Sequence, residues 1–421
     1  MTGTGQSLRR ELGVGGATLL GLGSILGTGV FVSIGIAAGV AGPTVVVAVA
    51  LAAIVASFNG LSSAQLAAAH PVSGGTYEYG HAYLTPALGF SAGWLFLLAK
   101  SASAATAALG FAGYAIALWD GDRSLLVPIA VAALVALTLV VLSGIRRSNT
   151  VNAVIVTIVL VGLGAFVVAG AGEVSGDDFA GLGDTSLASL FEATALMFVA
   201  YTGYGRIATL GEEVRRPQVT IPRAIVATLV VTMIVYVTVA VIAVAAGGAD
   251  ALAAATEGVA APLEVVARSF AIDGVDVAVA VAALVAMLGV LLNLILGLSR
   301  VLLAMGRRGD MPGGVAKVVD GSPRVAVATL AVVIGVLVLI GDVRTTWAFS
   351  AFTVLVYYAL TNLAALRLPA GERRFPRWTA GAGLVACLGL AFWVPWPVWL
   401  SGIGLLAAGF AVRYAIRRSG R

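Results

Sequence analysis

The chain has 421 residues, 60% of them hydrophobic and 11% charged, with a mean hydropathy of +1.03 and a formal net charge of +5. A soluble domain is closer to half apolar and a quarter charged, so that class is excluded and an all-α polytopic membrane protein is implied. A single cysteine, Cys387, excludes a disulfide framework within the chain and reads as a small lipid- or core-facing residue.

The polar start, MTGTGQSLRREL, leads into an apolar block too long for a cleaved signal peptide. Twelve apolar blocks follow in order: Val14–Val40, Thr44–Ala68, Leu88–Trp119, Leu125–Leu142, Asn152–Ala171, Leu187–Leu210, Ala224–Ala246, Val277–Met305, Val325–Ile340, Trp347–Leu366, Thr379–Val394 and Val398–Ala415. Each is read as a transmembrane helix. With both termini cytoplasmic, 20 of the 25 basic residues fall on the inner side, from Arg9 and Arg10 through Arg215, Arg216 and Arg223 to Arg417 and Arg421. The outer segments carry mostly acids, so the positive-inside rule supports the count and the orientation. The charge therefore describes topology in a lipid bilayer and gives no sign of nucleic-acid binding.

Between the blocks, the longer polar stretches are His70 to Pro86, Glu212 to Pro222, Asp250 to Asp276 and Gly306 to Pro323. Within the third, APLEVVARSF is expected to form a short amphipathic helix on the outer surface. Trp393, Trp396 and Trp399, with Pro395 and Pro397, read as an outer aromatic belt at the turn between the last two helices. The first block contains GSILGTG and the sixth AYTGYG. Glycine weakens a helix by about 1 kcal/mol relative to alanine. Two glycine-interrupted helices, five helices apart and opposite in direction, are expected to open near mid-bilayer and face a polar cavity. Close packing of small residues is the competing explanation.

Several motifs resemble the amino acid–polyamine–organocation superfamily of secondary transporters. They are GSILGTGVF at Gly23–Phe31, SGGTYEYG at Ser73–Gly80, AYTGYGRIATLGEEVRRPQVTIPRAI at Ala200–Ile225, LSRVLLAMGRRGDMP at Leu298–Pro312 with SPRVAV at Ser322–Val327, and YYALTNLAALRL at Tyr357–Leu368. The resemblance implies a LeuT-like 5+5 inverted repeat plus two peripheral helices in one transporter domain. Residues 12–171 would form the first repeat, 185–368 the second, and 377–416 the peripheral pair. It also implies alternating access around a site made by helices 1 and 6, with helices 3, 8 and 10 around it. A zwitterionic amino acid would place its carboxylate on the N–H groups of Gly27, Thr28 and Gly29. Its ammonium would meet carbonyls near Ser24, Ile25, Val199, Ala200 and Thr202, and Tyr201 and Tyr204 would shape the side-chain pocket.

The chain also departs from that pattern. Gly203-Tyr204-Gly205 lacks the acid that often follows the aromatic residue, and Arg206 comes next. Helix 5 has Ile158 or Val159 where several family members place a lysine; the intramembrane lysine here is Lys100, on helix 3. Ionisable groups at membrane depth face a cavity or a partner. Desolvation disfavours the charged form of an amine, so Lys100 is a candidate proton carrier; fixing helix 3 is the alternative. Arg206 is a candidate for clamping a carboxylate, pairing with Glu192 or Glu78, or latching the inner gate. Asn293 either bonds across helices or lines the cavity. Glu212 and Glu213 read as a solvated gate network with Arg215, Arg216 and Arg223. His70 and His81 have no metal-ligand spacing around them, so no metal site and no cofactor is expected, though their titration can tune gating. The expected function is a plasma-membrane permease for amino acids coupled to protons. An exchanger, a polyamine or organic-cation permease, and a non-transporting sensor on the same fold are the alternatives. No nucleophile or phosphate cradle suggests an enzyme.

Overall fold

A computed structural model describes residues 12–72, 74–143, 149–174, 181–210, 214–319 and 322–419. Glu212 and Glu213, and Arg9, Arg10, Arg146, Arg147 and Arg421 among the basic residues, lie outside the described residues. The described backbone is helical, with only two isolated bridges, Leu12 to Val214 and Val319 to Ser322. Its α-helices are α1 (Val14–Ile25), α2 (Thr28–Phe31), α3 (Ser33–Ala41), α4 (Val45–Ala69), α5 (Thr76–Tyr83), α6 (Pro86–Ala117), α7 (Leu126–Leu142), α8 (Asn149–Gly170) and α9 (Leu187–Tyr201). They continue as α10 (Gly205–Ala208), α11 (Pro217–Gly247), α12 (Ala249–Gly258), α13 (Pro262–Ala267), α14 (Val275–Arg307), α15 (Arg324–Ile340), α16 (Val343–Leu366), α17 (Arg377–Ala391) and α18 (Trp396–Ser419).

Nine helical segments of the described residues are long and apolar enough to cross a membrane, and α1, α15 and α17 are shorter apolar helices. The protein is thus a multi-pass membrane protein. Local chemistry starts and stops the long helices. The Thr85 hydroxyl accepts from Leu88 N–H at 3.2 Å and Pro86 opens α6; Asp342 caps α16 by accepting from Thr345 N–H at 2.7 Å. Gly248, at φ +79°, turns the chain from α11 into α12, a backbone state that suits glycine.

α6 is the central pillar. It packs along α14 and α16 and against α7 and α15, and 78% of its most apolar stretch is buried, against 17% for α18 at the periphery. Two hydroxyl pairs join α6 to α16, Ser103 to Ser350 and Thr106 to Thr346, each at 2.8 Å. The Asp250–Asp276 stretch differs from expectation. It holds two helices, and in α13 Pro262, Leu263, Glu264, Val266 and Ala267 are buried rather than laid on a surface. The reason is a set of anchors: Arg268 Nε binds Glu264 at 2.6 Å, its other nitrogens reach Asp120 and the Ala117 carbonyl, and Leu263 N–H donates to Tyr114. Cys387 faces the core, its thiol 3.3 Å from Asn59 Oδ1.

At one end of the bundle a fully buried carboxylate gathers four elements. Asp310 accepts from Tyr77 Oη (2.9 Å, α5), Arg413 Nε (2.8 Å) and Arg417 (3.0 Å), both on α18. Arg413 also donates to the Pro86 carbonyl at the start of α6, and its guanidinium lies 4.8 Å from the Phe90 ring centre. Burial, reinforced by the Asp310 charge, raises the Tyr77 phenol far above its usual range, so it stays a donor. Glu78, an expected partner for Arg206, is taken by Arg308.

Removing one member of a buried pair typically costs about 3–5 kcal/mol, because the other charge is stranded. Arg413→Ala should therefore lower the unfolding temperature in detergent clearly more than Arg417→Ala, since Arg417 is half-exposed and water can replace its contact. Equal effects from the two variants would show that Asp310 is not the anchor of α18.

Candidate functional site

The first glycine-rich motif opens the helix completely. α1 ends at Ile25, Leu26 and Gly27 are extended (ψ 102° and φ 179°), and α2 restarts at Thr28. An unbroken helix would bond the N–H groups of Gly27, Thr28 and Gly29 to the carbonyls of Gly23, Ser24 and Ile25. None of those bonds forms. On the carbonyl side, replacements come from other helices. Tyr236 Oη on α11 donates to the Ile25 carbonyl at 2.7 Å, and Asn293 Nδ2 on α14 approaches the Gly23 carbonyl at 3.4 Å.

The second motif is gentler. α9 passes into a single 3-10 turn, Thr202–Tyr204, and then into α10, with right-handed helical angles at Tyr201, Thr202, Tyr204 and Gly205. The expected opening of this helix is a tightening instead. The Thr202 hydroxyl donates to the Val199 carbonyl at 2.7 Å, and the Thr202 carbonyl accepts from Tyr358 Oη at 3.1 Å. The two interruptions press directly together: a β-carbon at Gly203 would overlap the Ser24 carbonyl oxygen, and one at Gly29 would sit 2.7 Å from Ala200 Cβ.

A cavity with about 40 Å³ of space for water centres lies at this crossing. That is room for a few waters, each needing about 10–15 Å³. Ser24, Ile25, Thr28 and Gly29 line it from the first interruption, and Val199, Ala200, Thr202 and Gly203 from the second. The rest of the wall is Lys100 and Ser103 on α6, Val290 and Leu294 on α14, and Trp347 on α16. Lys100 is buried and its Nζ donates to Thr202 Oγ1 at 2.7 Å. The Thr28 hydroxyl is buried and has no hydrogen-bond partner among the described residues. Trp347 Nε1 donates to the Leu196 carbonyl at 2.9 Å, fixing the indole at the cavity edge.

Five sequence candidates stand off the wall. Gly27 lies behind it, where a β-carbon would sit 2.6 Å from Val290 Cγ2. Tyr201 points to α4, its hydroxyl 3.2 Å from the Val49 carbonyl, and Tyr204 packs against Tyr358. Both are therefore parts of the scaffold around the site rather than of its side-chain wall. Arg206 lies on α10, with Nη1 3.5 Å from Thr209 Oγ1, and Asn293 stands at the first break. Sequence reasoning missed Ser103, Gly203, Val290, Leu294 and Trp347. Trp347 opened an apolar block and read as a helix end, and the two aliphatic residues are indistinguishable from lipid-facing ones by spacing. Gly203 carries a signal in AYTGYG, where close packing is the competing explanation for the glycines, and its contact with the Ser24 carbonyl fits that explanation.

A second cavity, with about 580 Å³ of water-centre space, is lined by Gly35, Ile36, Leu109, Arg123, Glu257, Asp342, Arg344 and their neighbours. Along α6 it is displaced from Ser103 to Leu109, about 9 Å at 1.5 Å per residue. Along α16 it is displaced from Trp347 to Arg344, in the same sense because the helix runs the other way. At the opposite end two bonds join distant parts of the chain: Arg215 N–H donates to the Leu12 carbonyl at 2.8 Å, and Tyr79 Oη to the Ala208 carbonyl at 3.3 Å.

A family profile described as amino acid permease matches residues 16–420. An uncharacterized transporter of Mycobacterium tuberculosis is 42% identical over 98% of this chain and 92% of its own length. The branched-chain amino acid permease of Bacillus subtilis is 30% identical over 74% of this chain and 70% of its own. The methylthioribose transporter of the same organism is 28% identical over 74% and 70%.

The contact between the interruptions is testable without a ligand. Gly203→Ala forces a methyl group against backbone, where overpacking costs about 1–3 kcal/mol. Gly389→Ala on α17 meets nothing within 4 Å. Thermal unfolding in detergent should fall for the first and stay level or rise for the second.

Proposed function

The chain belongs to the amino acid permease family, whose members are transporters and not enzymes, and on that footing we propose that it carries amino acids across the plasma membrane by alternating access, coupled to protons. The observation that carries this reading is the cavity where two helix interruptions meet, walled by an unpartnered Thr28 hydroxyl and the Lys100 ammonium. The substrate carboxylate would lie on the N–H groups freed at Gly27, Thr28 and Gly29. Its ammonium would use the Ser24 carbonyl and the second lone pairs of the Ile25 and Ala200 carbonyls, whose first go to Tyr236, while Val199 lends its side of the wall.

Twelve spans, with the two termini cytoplasmic, fit the nine long helices together with α1, α15 and α17. The LeuT-like inverted repeat is supported by matching interruptions in α1–α2 and α9–α10. Alternating access is supported by the unequal covering of the site, a large cavity on one side and a bonded plug on the other. In this reading the large cavity is the outer vestibule. Lys100 is the proposed proton carrier because it is the lysine in the cavity wall, and α8 carries buried Val159 where several family members place one.

Proteoliposomes test the proposal. A radiolabelled amino acid should accumulate saturably, faster when the outside is more acidic, and Lys100→Gln should retain exchange while losing the response to the gradient. Saturable binding without accumulation or exchange would identify a sensor, and an unchanged gradient response in Lys100→Gln would remove Lys100 from coupling.

A further inference from the structure

Lys100 brings a basic amine to the cavity wall, and among the described residues its one hydrogen-bond partner is Thr202, with no carboxylate paired to it. Thr202 Oγ1 gives its one proton to the Val199 carbonyl, so in the 2.7 Å contact with Lys100 it can only accept. The lysine nitrogen is therefore the donor, with further donor capacity beyond this bond. None of the residues lining the cavity is an aspartate or glutamate. Thr28 adds a second unanswered group, 3% exposed and with no partner among the described residues. A charge at this depth calls for a partner of opposite sign. The larger side chains in the rest of the wall are apolar, Ile25, Val290, Leu294 and Trp347, while the Ser24 hydroxyl bonds back to the Leu20 carbonyl and Ser103 pairs with Ser350.

We propose that Lys100 determines specificity: the site takes small neutral amino acids, whose carboxylate answers the Lys100 ammonium and the Thr28 hydroxyl, and rejects amino acids with a cationic side chain. This rests on the reading of the protein as an amino acid permease. A neutral amino acid brings one carboxylate and one ammonium, and the second is served by backbone carbonyls. An arginine or lysine brings another positive charge into a chamber of about 40 Å³ that already holds one, with no acid to receive it. Repulsion at such range is weakly screened away from water. The small volume and aliphatic wall further favour short apolar side chains.

The test is binding to the purified full-length protein, by thermal stabilisation and by competition against labelled alanine, with alanine, valine, arginine and lysine as probes. In the wild-type protein, alanine and valine should bind, and arginine and lysine at least tenfold more weakly. In Lys100→Met and Lys100→Gln, the arginine-to-alanine affinity ratio should rise at least tenfold. The wild-type comparison stands even if neither variant folds. Arginine binding as tightly as alanine to the wild type would overturn the proposal, as would an unchanged ratio in a folded variant. Failure of all four amino acids to bind folded wild-type protein would instead overturn the permease reading beneath it.

Discussion

A peptide group in hydrocarbon has no water to bond, so every N–H and C=O freed by a broken helix must find a partner in the protein or in a ligand. The gap at Leu26–Gly27 frees such groups on both sides, and the structure treats the sides differently. The carbonyl side is served by side chains: Tyr236 reaches Ile25 and Asn293 approaches Gly23. On the amide side, Thr28 and Gly29 line the cavity and Gly27 stands behind them. The second interruption keeps its helical sense, and its carbonyls are taken by Thr202, Tyr236 and Tyr358. With the Lys100 amine, the cavity wall presents hydrogen-bond donors beside the carbonyl of Ser24, so it offers both signs of partner. The polarity of the site follows from how the fold accounts for its own backbone.

The same bookkeeping extends to the ends of the site. At the α5 end, the covering layer is built from directional bonds between distant parts of the chain: Leu12 to Arg215, Tyr79 to Ala208, and the Thr76–Thr361 hydroxyl pair. The Asp310 cluster braces that layer from α18. Toward the larger cavity stand the Trp347 indole, bonded to the Leu196 carbonyl, and the Thr106–Thr346 pair. A net neutral hydrogen bond is worth about 0.5–1.5 kcal/mol. A barrier with few of them can rearrange at modest cost, and one with many is held until several yield together.

Most of the architecture was legible in the sequence because lipid imposes length and apolarity on each spanning helix. Each of the twelve apolar blocks overlaps helical backbone, and both interruptions fall at the glycine motifs. Short elements were less legible. α5, in SGGTYEYG, and α12 have no strong period, and α13 reads as a surface helix because its burial depends on Tyr114 and on the Arg268 contacts with Ala117 and Asp120, which come from elsewhere in the chain. In the site, backbone-presenting residues such as Ser24, Thr28 and Ala200 were legible through glycine spacing. The orientations of Tyr201 and Tyr204 were not. Their directions depend on partners that spacing does not reveal: the Val49 carbonyl on α4 for the Tyr201 hydroxyl, and the Tyr358 ring on α16 for Tyr204. The expectation of an open gap carried the error into the side-chain wall.

The placement of the charge has a mechanical consequence. Lys100 belongs to α6, the most enclosed of the long helices, yet its bond goes to Thr202 in the interrupted helix. Thr202 also bonds back into α9 and accepts Tyr358 from α16 through its carbonyl. One residue therefore joins the central pillar, a neighbouring helix and the interruption itself. Any rearrangement that moves the α9–α10 turn against α6 must either stretch the Lys100–Thr202 bond or carry the lysine with it. An anion near Nζ would offer the ammonium another acceptor and lower the cost of releasing Thr202. A lysine at Val159 would sit on α8, which packs along α1 and α14, and would not have that hold on the second interruption. A cation on α6 and one on α8 would thus restrain different interruptions.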